Sequence, residues 1–120
     1  MRLLLRSLTR SHRDFLPPGE KFVACDVAMG NGDWWFLTAE AVYILPTPTK
    51  SNERLGRDET SRIPLDDVIG FSVIDRGTFL ERVLEAEDSD GERHVITGWY
   101  DGRRVGAWFD EAIRSALAGR

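Results

Sequence analysis

WWFLTAEAVYIL, residues 34–45, is the stretch on which the fold turns. Trp34 to Thr38 and Ala41 to Leu45 are runs of aromatic, β-branched and large apolar residues, the types that fit a pleated surface. Only Ala39 and Glu40 separate them, so the two runs read as neighbouring antiparallel strands around a tight turn. Trp34 and Trp35 are adjacent in a strand and must point to opposite faces. One belongs to the core; the other is either an exposed aromatic anchor for a partner or covered by the N-terminal helix. Trp35 is taken as the candidate anchor.

Upstream the period is also two: Val23, Cys25, Val27 and Met29 share one face, with Asp26 on the other. Gly30-Asn31-Gly32-Asp33 then supplies residues that tolerate positive φ, which predicts a hairpin into Trp34 and a three-stranded meander. Downstream, residues 46–61 (PTPTKSNERLGRDETS) form a polar loop, long for a hairpin and either functional or mobile. Arg62-Ile63-Pro64 reads as a short edge strand, where proline is tolerated, and Leu65 to Val68 as a turn. Ile69 to Asp75 is a strand with Ile69, Phe71 and Val73 on one face, broken by Gly77. Arg82–Glu87 and Arg93–Thr97 form a further hairpin around Asp88-Ser89-Asp90-Gly91-Glu92. The period then returns to 3.6. Asp101 is a cap, Val105, Phe109, Ala112, Ile113, Ala116 and Leu117 recur at helical spacing, and Gly119 stands at the stop.

The fold class is therefore mainly β: about seven antiparallel strands, a curled sheet or barrel capped by a C-terminal helix. Trp108 and Phe109 are expected to plug its open end. At 120 residues with 42% hydrophobic and 30% charged side chains, the chain is one ordinary globular domain. A single cysteine excludes an internal disulfide and suits a reducing, cytoplasmic setting.

Residues 1–19 form a distinct arm. At about 100° per residue, Arg2, Arg6, Arg10 and Arg13 fall within roughly 80° of a helix, with Leu4, Leu5, Leu8 and Phe15 opposite. Pro17-Pro18-Gly19 ends the segment. The net charge is −4, yet residues 1–13 carry +4 and the remainder −8: a basic arm on an acidic body. That balance argues against a nucleic-acid partner. The arm suits an anionic membrane surface or an acidic groove, or its leucines pack on the domain.

Catalytic and metal chemistry find little support. His12 and His94 have no ligand-spaced partners, so no metal site is expected. Asp88–Glu92 resembles the start of a calcium loop, but Trp99 stands where the bidentate glutamate belongs. Cys25 shares a face with Val23 and Val27 and reads as a small buried residue. No G-x-S-x-G elbow, Walker loop or G-x-G-x-x-G is present. No cofactor is expected.

The succession resembles the pleckstrin-homology-like fold, in particular its small bacterial branch, the YokE-type PH-like domains. The stretches that carry the resemblance are Trp34–Ile44 with Thr38 at its turn, Ile63-Pro64-Leu65-Asp66-Asp67-Val68-Ile69-Gly70-Phe71, and the helix from Asp101 to Ala118. The resemblance spans residues 20–118 and implies a PH-like domain over residues 20–120. Another small β-barrel or a lipocalin-like half-barrel has the same order of elements.

The resemblance implies a non-catalytic binding module, since the superfold hosts phosphoinositide and peptide binders alike. The phosphoinositide binders carry Lys and Arg around the first hairpin, and here Gly30–Asp33 has none. The candidate binding residues are Arg2, Arg6, Arg10 and Arg13 of the arm, Trp35, and Lys50, Arg54 and Arg57 of the long loop. The expected partner is a protein or peptide, with an anionic membrane surface as alternative. A homodimer could form through the arm or an exposed strand edge. A small-ligand carrier or enzyme using a barrel cavity is the third reading.

Overall fold

The computed structural model describes residues 18–27, 33–45, 61–101 and 104–120. Among them the chain runs β1 (Phe22–Val27), β2 (Trp34–Thr38), β3 (Ala41–Leu45), β4 (Ser61–Pro64), one 3-10 turn (Leu65–Asp67), β5 (Val68–Asp75), β6 (Leu80–Glu87), β7 (Arg93–Tyr100) and α1 (Arg104–Ala118). Residues 1–17 of the arm, the Asn31-Gly32 turn and the Pro46–Thr60 loop lie outside the described residues. With them lie Arg2, Arg6, Arg10, Arg13, Lys50, Arg54 and Arg57.

The mainly-β class with a C-terminal helix holds, but the single curled sheet or barrel is corrected. The described strands form two antiparallel sheets, β1-β2-β3-β4 and β5-β6-β7, and the barrel is not closed. The β2–β3 turn is locked by Thr38, whose fully buried hydroxyl accepts from the Glu40 and Ala41 N–H groups at 3.1 and 3.0 Å. That side chain answers the two donors a tight turn would otherwise leave unpaired.

The principal core lies between the sheets and under the helix. Trp35, Leu37, Val42, Leu84, Phe109 and Ile113 are fully buried there. A second apolar cluster, on the opposite face of the first sheet, contains Cys25, Phe36, Ala41, Tyr43 and Leu45. Both faces of β2 and β3 are therefore buried, which explains their unbroken apolar sequence better than simple alternation does.

Several positions depart from the sequence reading, two of them for one reason. A register shift between Phe22 and Ala24 leaves Val23 half-exposed, while Ala24 and Asp26 lie on the main-core face and Cys25 on the other. A second shift, between Val68 and Gly70, takes Ile69 off the face it would share with Phe71, and Ile69 is 50% exposed. An extra residue inverts every side chain on one side of it. Trp35 is corrected as an anchor: it is fully buried in the main core, whereas Trp34 packs partly buried against the second cluster. Trp108 likewise points outward, and Phe109 alone of that pair fills the core.

Candidate functional site

Among the described residues, a broad, open groove of about 780 Å³ lies at one end of the sandwich. The 3-10 turn and the bulged start of β5 give it Leu65, Val68 and Ile69; the last turns of α1 give Ala116 and Leu117. The sequence builds this locally. Pro64 precedes the 3-10 turn, and the Leu65 N–H bonds to the Glu40 carbonyl at 2.9 Å, which fixes the turn beneath the β2–β3 corner. The bulge then sets the Ile69 side chain outward beside the helix end.

Arg120 closes one side. Its guanidinium reaches Asp66 Oδ1 at 2.6 Å and donates to the Ala39 carbonyl at 2.8 Å. It is the one cation in the lining and is already engaged. The groove thus sets a few apolar side chains within a lining whose accessible surface is more polar than apolar, beside a cation that Asp66 already neutralises.

The other end of the sandwich holds a buried ionic cluster that sequence reading missed. The Arg82 guanidinium, with no exposed surface, donates from Nε to Asp110 and from Nη2 to Asp26, both at 2.6 Å. Tyr100 donates its hydroxyl to the other oxygen of Asp110. Burial, with the Asp110 carboxylate beside it, pushes the Tyr100 phenol up from its ordinary range. The guanidinium also lies 4.1 Å from the centre of the Tyr100 ring and 4.8 Å from that of Phe109. Gly106 makes room: a Cβ there would stand 2.5 Å from the Tyr100 ring. The cluster ties β1, β6, β7 and α1 together and is walled off from solvent, so it organises structure instead of receiving substrate.

A third polar group stands where Glu20 meets the first sheet. Thr38 and Arg62 each donate to Glu20 at 3.0 Å, and Tyr43 donates to its second oxygen. Burial raises the Glu20 carboxyl, but these three hydrogen bonds outweigh it and leave the group below its usual range. All its members serve one another.

At the β6–β7 turn, Asp88, Glu92 and His94 bring ligand atoms within 4.8 Å of one another. Asp88 Oδ1 is already occupied by the Asp90 and Glu92 N–H groups, and Oδ2 pairs with His94 Nε2 at 2.9 Å. The hydrogen bond to Asp88 raises the imidazole pKa, and the same bond lowers that of Asp88. That is the hydrogen-bonded turn the sequence suggested, with Asp88 half-buried and Glu92 and His94 exposed. Cys25, pushed up to about 12 by burial and then by the Asp26 charge, has no nucleophilic character at neutral pH.

No family model matches the sequence, and no curated protein matches it. A solved structure does. The crystal structure of a pleckstrin homology domain from Shewanella amazonensis SB2B aligns over 95% of this chain and 98% of that one, with a TM-score of 0.62. The fold is pleckstrin-homology-like. At 18% identity that likeness speaks to the PH-like fold alone. Within it, the space a carrier would need between the sheets is filled by Trp35, Leu37, Leu84, Phe109 and Ile113. No helix among the described residues is long and apolar enough to cross a membrane.

Could the sequence have shown these features? The cluster had a signal: Arg82 falls in phase with Leu84 and Ala86, and Asp110 beside Phe109 and one turn from Ile113. A charge in phase with an apolar face calls for a buried partner. The groove had none, because it depends on a bulge and on the angle of the helix end.

Proposed function

We propose that this chain is a non-catalytic interaction module that holds an extended, apolar-anchored segment of a partner protein in the groove between β5 and the end of α1. The observation that carries this reading is the groove itself: about 780 Å³, with Leu65, Val68 and Leu117 among its lining residues and Ile69 held half-exposed beside them. Exposed large apolar side chains beside a concave surface mark interaction sites. The placement of the polar groups speaks for binding over catalysis, since Arg82 is fully buried, with its Nη1 unpartnered, and Glu20 and Asp88 are each hydrogen-bonded to neighbouring side chains.

The test uses random 12-residue peptides displayed on phage and selected on the full chain. Peptides that bind the wild type and lose at least tenfold in affinity with Ile69→Glu or Leu117→Glu support the reading. Selection that yields only peptides indifferent to both substitutions overturns it. Far-UV circular dichroism confirms that both variants are folded.

A further inference from the structure

Among the described residues four strands end their sheets: β1, β4, β5 and β7. Edge strands present unpaired backbone groups, and proteins blunt them with bulges, proline, brevity or covering elements. Three of the four are blunted here. β1 is bulged at Val23, β5 is bulged at Ile69, and β4 has only four residues and ends in Pro64. Among the described residues β7 carries no bulge or proline and is not shortened. It is eight residues long, pairs with β6 in unbroken register along its whole length and contains no proline. Its outward side chains are Arg93, Val95, Thr97 and Trp99, all exposed, with Val95 at 63%.

We propose that β7 is a homotypic interface, at which the β7 strands of two copies of this chain pair antiparallel about a two-fold axis through Thr97. The pattern of side chains selects the second copy as occupant. Directly opposed residues in an antiparallel pair share a face, so a two-fold axis perpendicular to the sheet matches outward residues with outward ones. Centred on Thr97, it overlaps the whole strand. Thr97 then faces the partner's Thr97, Val95 faces the partner's Trp99, and Arg93 faces the partner's Asp101.

These are the combinations that stabilise cross-strand neighbours: a threonine pair, two aromatic–β-branched pairs and two opposite-charge pairs. Shifting the axis to Val95 or Trp99 shortens the overlap and removes the Arg93–Asp101 match. On the inner face Ile96 meets the partner's Gly98, which leaves room for it. The result is one continuous six-stranded sheet across the dimer, an isologous contact in which each copy uses the same surface. The β5–α1 groove is on the opposite edge of each sheet and stays open.

Sedimentation velocity on the full chain across a concentration series tests the proposal, together with single-cysteine cross-linking. Wild-type chain is expected to shift from monomer to dimer as concentration rises. Thr97→Lys sets two ammonium groups against each other at the axis and raises the dissociation constant at least tenfold. Under mild oxidation Thr97→Cys forms a disulfide-linked dimer, because opposed Cβ atoms lie about 4.5–5.5 Å apart. Val95→Cys does not, because it faces a tryptophan; the native Cys25 is buried and silent. A wild type that remains monomeric throughout, a dimer unmoved by Thr97→Lys, or equal cross-linking of the two cysteine variants would each overturn it. Circular dichroism separates loss of pairing from loss of fold.

Discussion

Replacing Arg82 with methionine probes the strongest internal constraint. The substitution keeps much of the apolar stem but removes two hydrogen bonds of 2.6 Å to buried carboxylates. Each charge-assisted bond contributes about 1.5–3 kcal/mol. The larger effect is what remains: Asp26 and Asp110, both buried, lose the guanidinium that neutralised them. Breaking a buried pair from one side costs about 3–5 kcal/mol. For a chain of this length that corresponds to a fall in Tm of roughly 10–20 °C, and to about 2 M in the urea midpoint. The assay is urea unfolding followed by circular dichroism, on Arg82→Met and on the triple variant Arg82→Met, Asp26→Asn, Asp110→Asn. The triple variant is expected to recover part of the loss, because no uncompensated charge is left inside. A loss below about 1 kcal/mol for Arg82→Met, the range of a surface pair, would refute the view that this cluster ties the sheets to the helix.

Gly106→Ala should destabilise by about 1–3 kcal/mol, the cost of overpacking, although the same change in an ordinary helix interior stabilises by up to about 1 kcal/mol; urea unfolding gives the sign. Proton NMR titration of His94 should show a pKa above the ordinary imidazole value that falls back on Asp88→Asn, with His12 as a second reporter. Because the folded-state pKa of His94 is raised, the pair's contribution is complete below the unfolded-state value and is lost as pH rises through the folded one. Asp88, whose pKa is lowered, loses its share only as pH falls through its own folded value. Cys25 should react with Ellman's reagent at a rate limited by unfolding, since it is fully buried with its thiol pushed up to about 12; a stoichiometric native reaction within seconds would contradict that burial.

What was legible in the sequence follows from period and punctuation. The tight turn at Thr38, the proline after Ile63 and the 3.6 repeat ending at Gly119 are local signals, and each marks an element that forms, although the helix begins at Arg104 and not directly after the Asp101 read as its cap. The bulges were not legible, because Val23 and Ile69 are apolar residues in runs of apolar residues. Only the partner strand shows that each is the extra residue. Asp26 was hidden for another reason: alternation puts it on the face opposite Cys25, and both faces of this sheet are buried. Alternation also misdirected attention from Trp34 to Trp35, since two adjacent tryptophans carry no mark of which face holds the larger core.

Those unreadable shifts are also what position the candidate site. Without the bulge at Ile69, the start of β5 would continue flush with Phe71 and Val73, and its outward face would present no lip beside the helix. The helix is held at both ends by different means. Near its start the Arg82–Asp110 pair and the close approach at Gly106 are buried and rigid; at its end Arg120 grips Asp66 and the Ala39 carbonyl at the surface. An exposed pair of this kind contributes about 1 kcal/mol or less. The groove wall formed by Ala116 and Leu117 is therefore anchored firmly at a distance and lightly nearby. On the proposed reading, a partner segment entering beside Ile69 would meet a wall that the weak clamp at Arg120 lets adjust to the side chain it receives, at some ordering cost to the association.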